Sequence, residues 1–214
     1  MEKRYYLYLM VSRTETQIGR IIRVFSRYPY NHVSLSIDPT FREWVSFGRF
    51  RRDTPFYAGF IRETVERYLY QNEDTPIRLF RIEISPHKYM KLRQLFDRAG
   101  YGDTRLIYNI FEAVASNFHL RLSIPGAYTC LSFADRILDK RYLTVRELCE
   151  DLRPYMIYEG PLASLAADSG QRDDRYFQRL GIFRGTWRTT KLFADLTTRP
   201  IRGYRRDVVR QKYR

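Results

Sequence analysis

The sequence predicts an α+β chain, an antiparallel sheet packed against helices, on three observations. Short β-prone runs alternate with period two, apolar residues recur elsewhere at i, i+3, i+4 and i+7, and cap residues stand at the start of three helical runs. At 214 residues, 44% hydrophobic and 29% charged, the chain is large enough to bury a core and excludes disorder throughout.

Tyr5 to Val11 lacks Gly and Pro and reads as a largely buried strand. Thr14 with Gln17 forms a capping-box pattern ahead of Ile18, Ile21, Ile22 and Phe25, which predicts a helix ending before Pro29. His32 to Ile37 alternates cleanly, with Val33, Leu35 and Ile37 on one face and His32, Ser34 and Ser36 on the other. Asp38-Pro39-Thr40 turns the chain, and Trp44 to Phe47 returns it as the antiparallel partner. Residues 48–60 are rich in Gly, Pro and Arg and read as a loop.

Ile77 to Ile84 is a further strand, and Ser85-Pro86 opens a helix running toward Gly100. Leu106 to Phe118 reads as a second helix. Thr129 precedes a helix in which Cys130, Phe133, Ala134, Ile137 and Leu138 share one stripe, so Cys130 stands in its first turn. Thr144 and Glu147 cap a shorter helix, and Met156 to Tyr158 is a last strand. Apolar periodicity weakens beyond Pro161, which divides the chain into a domain at 1–168 and a basic, Arg- and aromatic-rich extension at 169–214 without a long apolar stripe.

The formal charge is +14, from 38 Lys and Arg against 24 Asp and Glu. Residues 171–214 hold thirteen bases and four acids, a net +9, interleaved with aromatics such as Tyr176, Phe183 and Trp187. Such a segment suits an anionic polymer or an anionic membrane surface, though no nucleic-acid motif is recognisable. No signal-peptide pattern and no membrane-spanning run is present, and a cytoplasmic location is expected. The two cysteines, nineteen positions apart, form neither a disulfide framework nor a zinc motif, and no cofactor or metal is expected. The absence of a Gly-rich phosphate loop, a zinc-protease motif or paired carboxylates argues against nucleotide hydrolysis, zinc proteolysis and glycosidase chemistry.

A lone cysteine at a helix start is more often a small buried hydrophobe than a nucleophile, and thiol chemistry is the sharper reading beside it. A helix N-terminus and a neighbouring imidazolium both stabilise a thiolate, and Cys130 occupies the first of these positions. Of the three histidines, His87 and His119 read as surface or capping residues. His32 opens a strand lined with small serines and is the base a helix and a substrate could approach. A third group orients the imidazole; Ser46 has the right parity on the neighbouring strand, and Glu63 is the alternative. Cys149 shares a helical stripe with Val145, Leu148 and Leu152 and reads as core.

His32-Val33-Ser34-Leu35-Ser36-Ile37-Asp38, Val45-Ser46-Phe47-Gly48-Arg49, Ala58-Gly59-Phe60 with Glu63, and Tyr128-Thr129-Cys130 with Phe133-Ala134 resemble the circularly permuted papain-like group. That group includes lecithin retinol acyltransferase-like and bacterial YiiX-like proteins and is related to the NlpC-type endopeptidases. The resemblance spans about residues 5–160 and implies a papain-like α+β fold with Cys130 as nucleophile and His32 as base. It departs at the third position, where Ser46 stands and many relatives carry His or another strong polar residue. The expected function is a thiol hydrolase or acyltransferase acting on an amide, ester or thioester. The alternative is a noncatalytic papain-like scaffold whose basic tail binds nucleic acid or an anionic surface.

Overall fold

The computed structural model describes residues 3–15, 23–24, 27–54, 56–70, 75–100, 106–116, 120–165 and 174–205. The helix expected from Thr14 and the residue His119 lie outside them. The chain folds as an α+β molecule around one mixed, eight-stranded sheet. Its strands are β1 (Tyr5–Ser12), β2 (His32–Ser36), β3 (Glu43–Arg49), β4 (Ala58–Thr64), β5 (Pro76–Ile84), β6 (Ile107–Tyr108), β8 (Ala127–Tyr128) and β9 (Met156–Pro161). Their order is β8-β6-β4-β3-β2-β1-β5-β9, and all neighbours are antiparallel except β6 and β8. A separate ribbon pairs β7 (Leu120–Ser123) with β10 (Arg202–Arg205).

β1 lies at the centre, paired over five residues with β2 and over eight with β5. Its alternation therefore fills two cores: Leu7, Leu9 and Val11 point to one face, Tyr8 and Met10 to the other. The first face is covered by α4 (Cys130–Leu138), with Leu131, Phe133, Ala134 and Ile137 laid on Val33, Leu35, Val45 and Phe60. The Phe133 ring centre sits 5.1 Å from both Phe47 and Phe60, so this one side chain keys the helix to β3 and β4. The same cluster takes Leu92 and Phe96 of α2 (Pro86–Phe96), and Leu148 and Cys149 of α5 (Val145–Asp151). On the other face Trp44 and Leu79 pack with Val65 and Tyr68 of the one-turn helix α1 (Val65–Leu69).

Two expectations meet a different local structure. The run expected as a loop to residue 60 contains the start of β4, because Gly59 lets the strand pass where a Cβ would lie 2.7 Å from Phe50 Cζ and 2.8 Å from the Leu106 carbonyl. The helix expected from Leu106 begins later, at α3 (Ile110–Ala115), since Asn109 caps it by accepting from the Glu112 amide 3.0 Å away. Ile107 and Tyr108 are thereby released to pair in parallel with Ala127 and Tyr128.

Residues 174–205 lie on this scaffold. Leu192 and Leu196 of α6 (Ile182–Thr198) are buried in a third cluster with Phe50, Tyr57, Ile61, Ile107 and Ile124, and β10 closes on β7. Asp174 is fully buried against Arg67 of α1, accepting from Arg67 Nη2 at 2.8 Å and from Thr64 Oγ1 at 3.1 Å. Among the described residues no helix is long and apolar enough to cross a membrane.

Candidate active site

The site forms where the sheet opens. β3 and β4 pair along their whole length, from Glu43 with Thr64 to Arg49 with Ala58, whereas the β2–β3 ladder is registered at Leu35 with Val45. Toward His32 and Gly48 the two strands are not registered, and into this opening comes the N-terminus of α4. Thr129 caps that helix by accepting from the Ser132 amide at 3.1 Å, and Ser132 Oγ accepts from the Thr129 amide at 2.8 Å. Ser132 Oγ also donates to Glu112 Oε2 at 2.7 Å, tying the first turn of α4 to α3. Arg121 of β7 bridges the buried carboxylates of Glu112 and Asp135. Cys130 thus stands at the first position of a helix held by its cap, its aromatic key and a buried ionic cluster.

His32, Glu63 and Cys130 line one cavity of about 150 Å³. His32 Nε2 is 3.0 Å from Glu63 Oε2, and both side chains are nearly buried, 13% and 10% exposed. The same carboxylate oxygen accepts from Ser34 Oγ at 3.0 Å and from Tyr68 OH at 2.6 Å, so three donors converge on it. Burial pulls the imidazole toward its neutral form. The Glu63 charge, the hydrogen bond to Glu63 and the nearness of Cys130 outweigh this and raise His32 from 6.5 to about 10. The reciprocal holds for Glu63: burial pushes the carboxyl up, while His32 and Arg67 bring it down to about 2. The imidazole is therefore an imidazolium at neutral pH. The Cys130 thiol has no hydrogen bond of ordinary length and angle to the ring, yet it is close enough to add to this upward pull.

Of the residues read from the sequence, His32 and Cys130 come together and Ser46 stands one layer back. The Ser46 hydroxyl is buried on the His32 side of the sheet without a hydrogen-bond partner, and the group bonded to the ring is Glu63, the alternative. The register explains this: β4 pairs Glu63 with Trp44, which points the carboxylate to the face shared by Ser34 and His32. His87 is exposed on α2, and Cys149 is 4% exposed, with burial raising its thiol.

Several site residues were not marked by the sequence. Tyr68 and Arg67 come from a one-turn helix with no long stripe, and Tyr108 from a two-residue strand. Burial pushes the Tyr108 phenol up. Tyr176, Leu192, Phe193 and Leu196 line the cavity from the far end of the chain. Leu192, Phe193 and Leu196 with Phe56, Ile107 and Ile110 make an apolar lining, and Arg49 and Arg67 line the same cavity beside Tyr176. Arg49 donates to Tyr176 OH at 2.9 Å and to the Arg52 carbonyl at 3.2 Å. Among the described residues no group of three or more His, Cys, Asp and Glu is placed to hold a metal ion.

No family model, no curated protein and no solved structure matches this chain.

Proposed function

We propose that the protein is a thiol hydrolase or acyltransferase of the circularly permuted papain-like kind, acting on an amide, ester or thioester. The observation that carries this reading is the buried imidazole of His32, paired through Nε2 with Glu63 and facing a cavity that it shares with a cysteine at a helix N-terminus. A thiolate is the attacking form of cysteine, and the imidazolium of His32 and the first turn of α4 stand beside Cys130.

Cys130 Sγ attacks the acyl carbon, and its own backbone amide in the first turn of α4 helps hold the oxyanion. The His32 imidazolium gives its proton to the departing amine, alcohol or thiol. The neutral imidazole then draws a proton from water, for hydrolysis, or from an amine or alcohol, for transfer, as the thioester bond to Cys130 breaks. Glu63 acts as a positioning residue: it fixes the ring and stabilises its charged form. The apolar wall suits the acyl group of the substrate.

The test is a panel of amide, ester and thioester reporters with and without an amine acceptor. Leaving-group release by the full chain that disappears in Cys130→Ala supports the reading. Release unchanged by that substitution, or none from any reporter class, overturns it.

A further inference from the structure

Helix α6 carries two unlike faces. Gly185, Leu192 and Leu196 face the molecule, and a Cβ at Gly185 would lie 2.8 Å from Thr54 Cγ2, so the helix is seated closely there and its rotation is fixed. Phe183 and Trp187 stand two residues to either side of Gly185, about 160° around the helix from it at 3.6 residues per turn. They point away from the protein. Phe183 is 91% exposed, Trp187 71% and Ile182 at the helix start 85%.

Large apolar side chains so exposed are a surface in search of a partner when they cluster and share a charge pattern. Here Arg184 and Lys191 lie beside them along one side of the same helix, Arg188 reaches back to Tyr57 OH at 3.4 Å, and the one acid, Asp195, is bonded to Arg199 at the far end. Aromatic residues at the crest of a helix with Arg and Lys along its sides are the pattern of a segment that lies in the headgroup region of a bilayer. A second copy would set like charge against like charge, because the chain carries +14.

We propose that the N-terminal part of α6 docks the protein onto an anionic bilayer surface, with Ile182, Phe183 and Trp187 entering the interface and Arg184 and Lys191 meeting lipid phosphate and carboxylate groups. This stands apart from the thiol chemistry, and a Cys130→Ala chain is expected to dock equally well.

The molecule carries its own probe. Of its two tryptophans, Trp44 is fully buried and Trp187 is exposed, so a change in indole emission on docking comes from Trp187. The full-length chain is titrated with phosphatidylcholine vesicles, with the same vesicles containing phosphatidylserine, and with a single-stranded oligonucleotide. The expected result is a blue shift with phosphatidylserine vesicles only, weakened by salt and reduced about tenfold in apparent affinity by Phe183→Ser. Arg184→Gln with Lys191→Gln is expected to weaken docking at low salt, and circular dichroism checks that each variant is folded. No blue shift with anionic vesicles overturns the proposal. So does an unchanged affinity in Phe183→Ser, which would leave charge alone as the attraction, or a Trp187 response to the oligonucleotide and not to vesicles.

Discussion

A histidine that is nearly buried ordinarily loses its proton; His32 keeps it because Glu63 is buried with it. The pair sets a pH dependence whose sign follows from each partner. His32, raised from 6.5 to about 10, contributes stability that is complete below 6.5 and is lost as pH rises through about 10. Glu63, lowered from 4.5 to about 2, contributes stability that is complete above 4.5 and is lost as pH falls through about 2. Glu63→Gln removes the charge that holds the proton, so the His32 imidazole is expected to titrate well below its value in the parent chain. NMR titration of the imidazole ring in the parent and the variant checks this, and an unmoved titration would mean that another group sustains the charge. On the proposed chemistry, His32→Ala lowers turnover by about 10²- to 10⁴-fold, the range of general acid–base catalysis. Ser46→Ala should cost far less, because Ser46 does not touch the ring; reporter kinetics of the two variants separate them.

At the scale of elements, the helix that carries Cys130 is held from both ends of its physics. Phe133 locks its apolar side between Phe47 and Phe60, and Phe133→Ala should destabilise the fold by about 3–5 kcal/mol, read from urea unfolding. Its polar side meets a buried cluster in which one guanidinium, Arg121, serves two carboxylates, Glu112 and Asp135. Burial raises Asp135 from 3.8 to about 7 despite that guanidinium, so the folded chain binds a proton there that the unfolded chain releases. Stability from this site therefore falls as pH rises from about 4 to about 7. Asp135→Asn is expected to flatten that slope in thermal melts taken across the range. The patterned elements were the legible ones: Ser85 with Pro86 and Thr144 with Glu147 each announce a helix start that the backbone adopts, and the stripe beginning at Cys130 marks a third. The period-two run at His32 was equally plain. What the sequence hides is β4, whose Gly59 and neighbouring Arg and Pro residues look like loop until Phe50 and Leu106 are seen packed on it. Glu63 was legible as the alternative orienter, but its placement depends on the register between β3 and β4.

Across the whole molecule, the C-terminal segment and the site are physically continuous. Tyr176, Leu192, Phe193 and Leu196 form part of the cavity wall, and Asp174 is bonded to Arg67, whose charge helps hold Glu63 ionised. These residues lie more than a hundred positions from His32, and no local pattern could reveal that they meet. Truncation after Gly170 removes Leu192 and Leu196 from their cluster and leaves Arg67 buried without Asp174. The truncated chain is expected to melt at a lower temperature than the full chain and to label at Cys130 at a changed rate. Calorimetry and alkylation kinetics check both, and unchanged values would show that the segment is independent of the site.

The most direct test of the central claim is where an acyl group lands. The full-length chain is incubated with an activated acyl ester or thioester at neutral pH, quenched in acid, and mapped by peptide mass spectrometry. The account predicts an acyl adduct on Cys130, none on the buried Cys149, and a strongly slowed adduct in His32→Ala. An adduct on Cys149, no adduct on either cysteine, or a Cys130 adduct that forms at the same rate without His32 would contradict it.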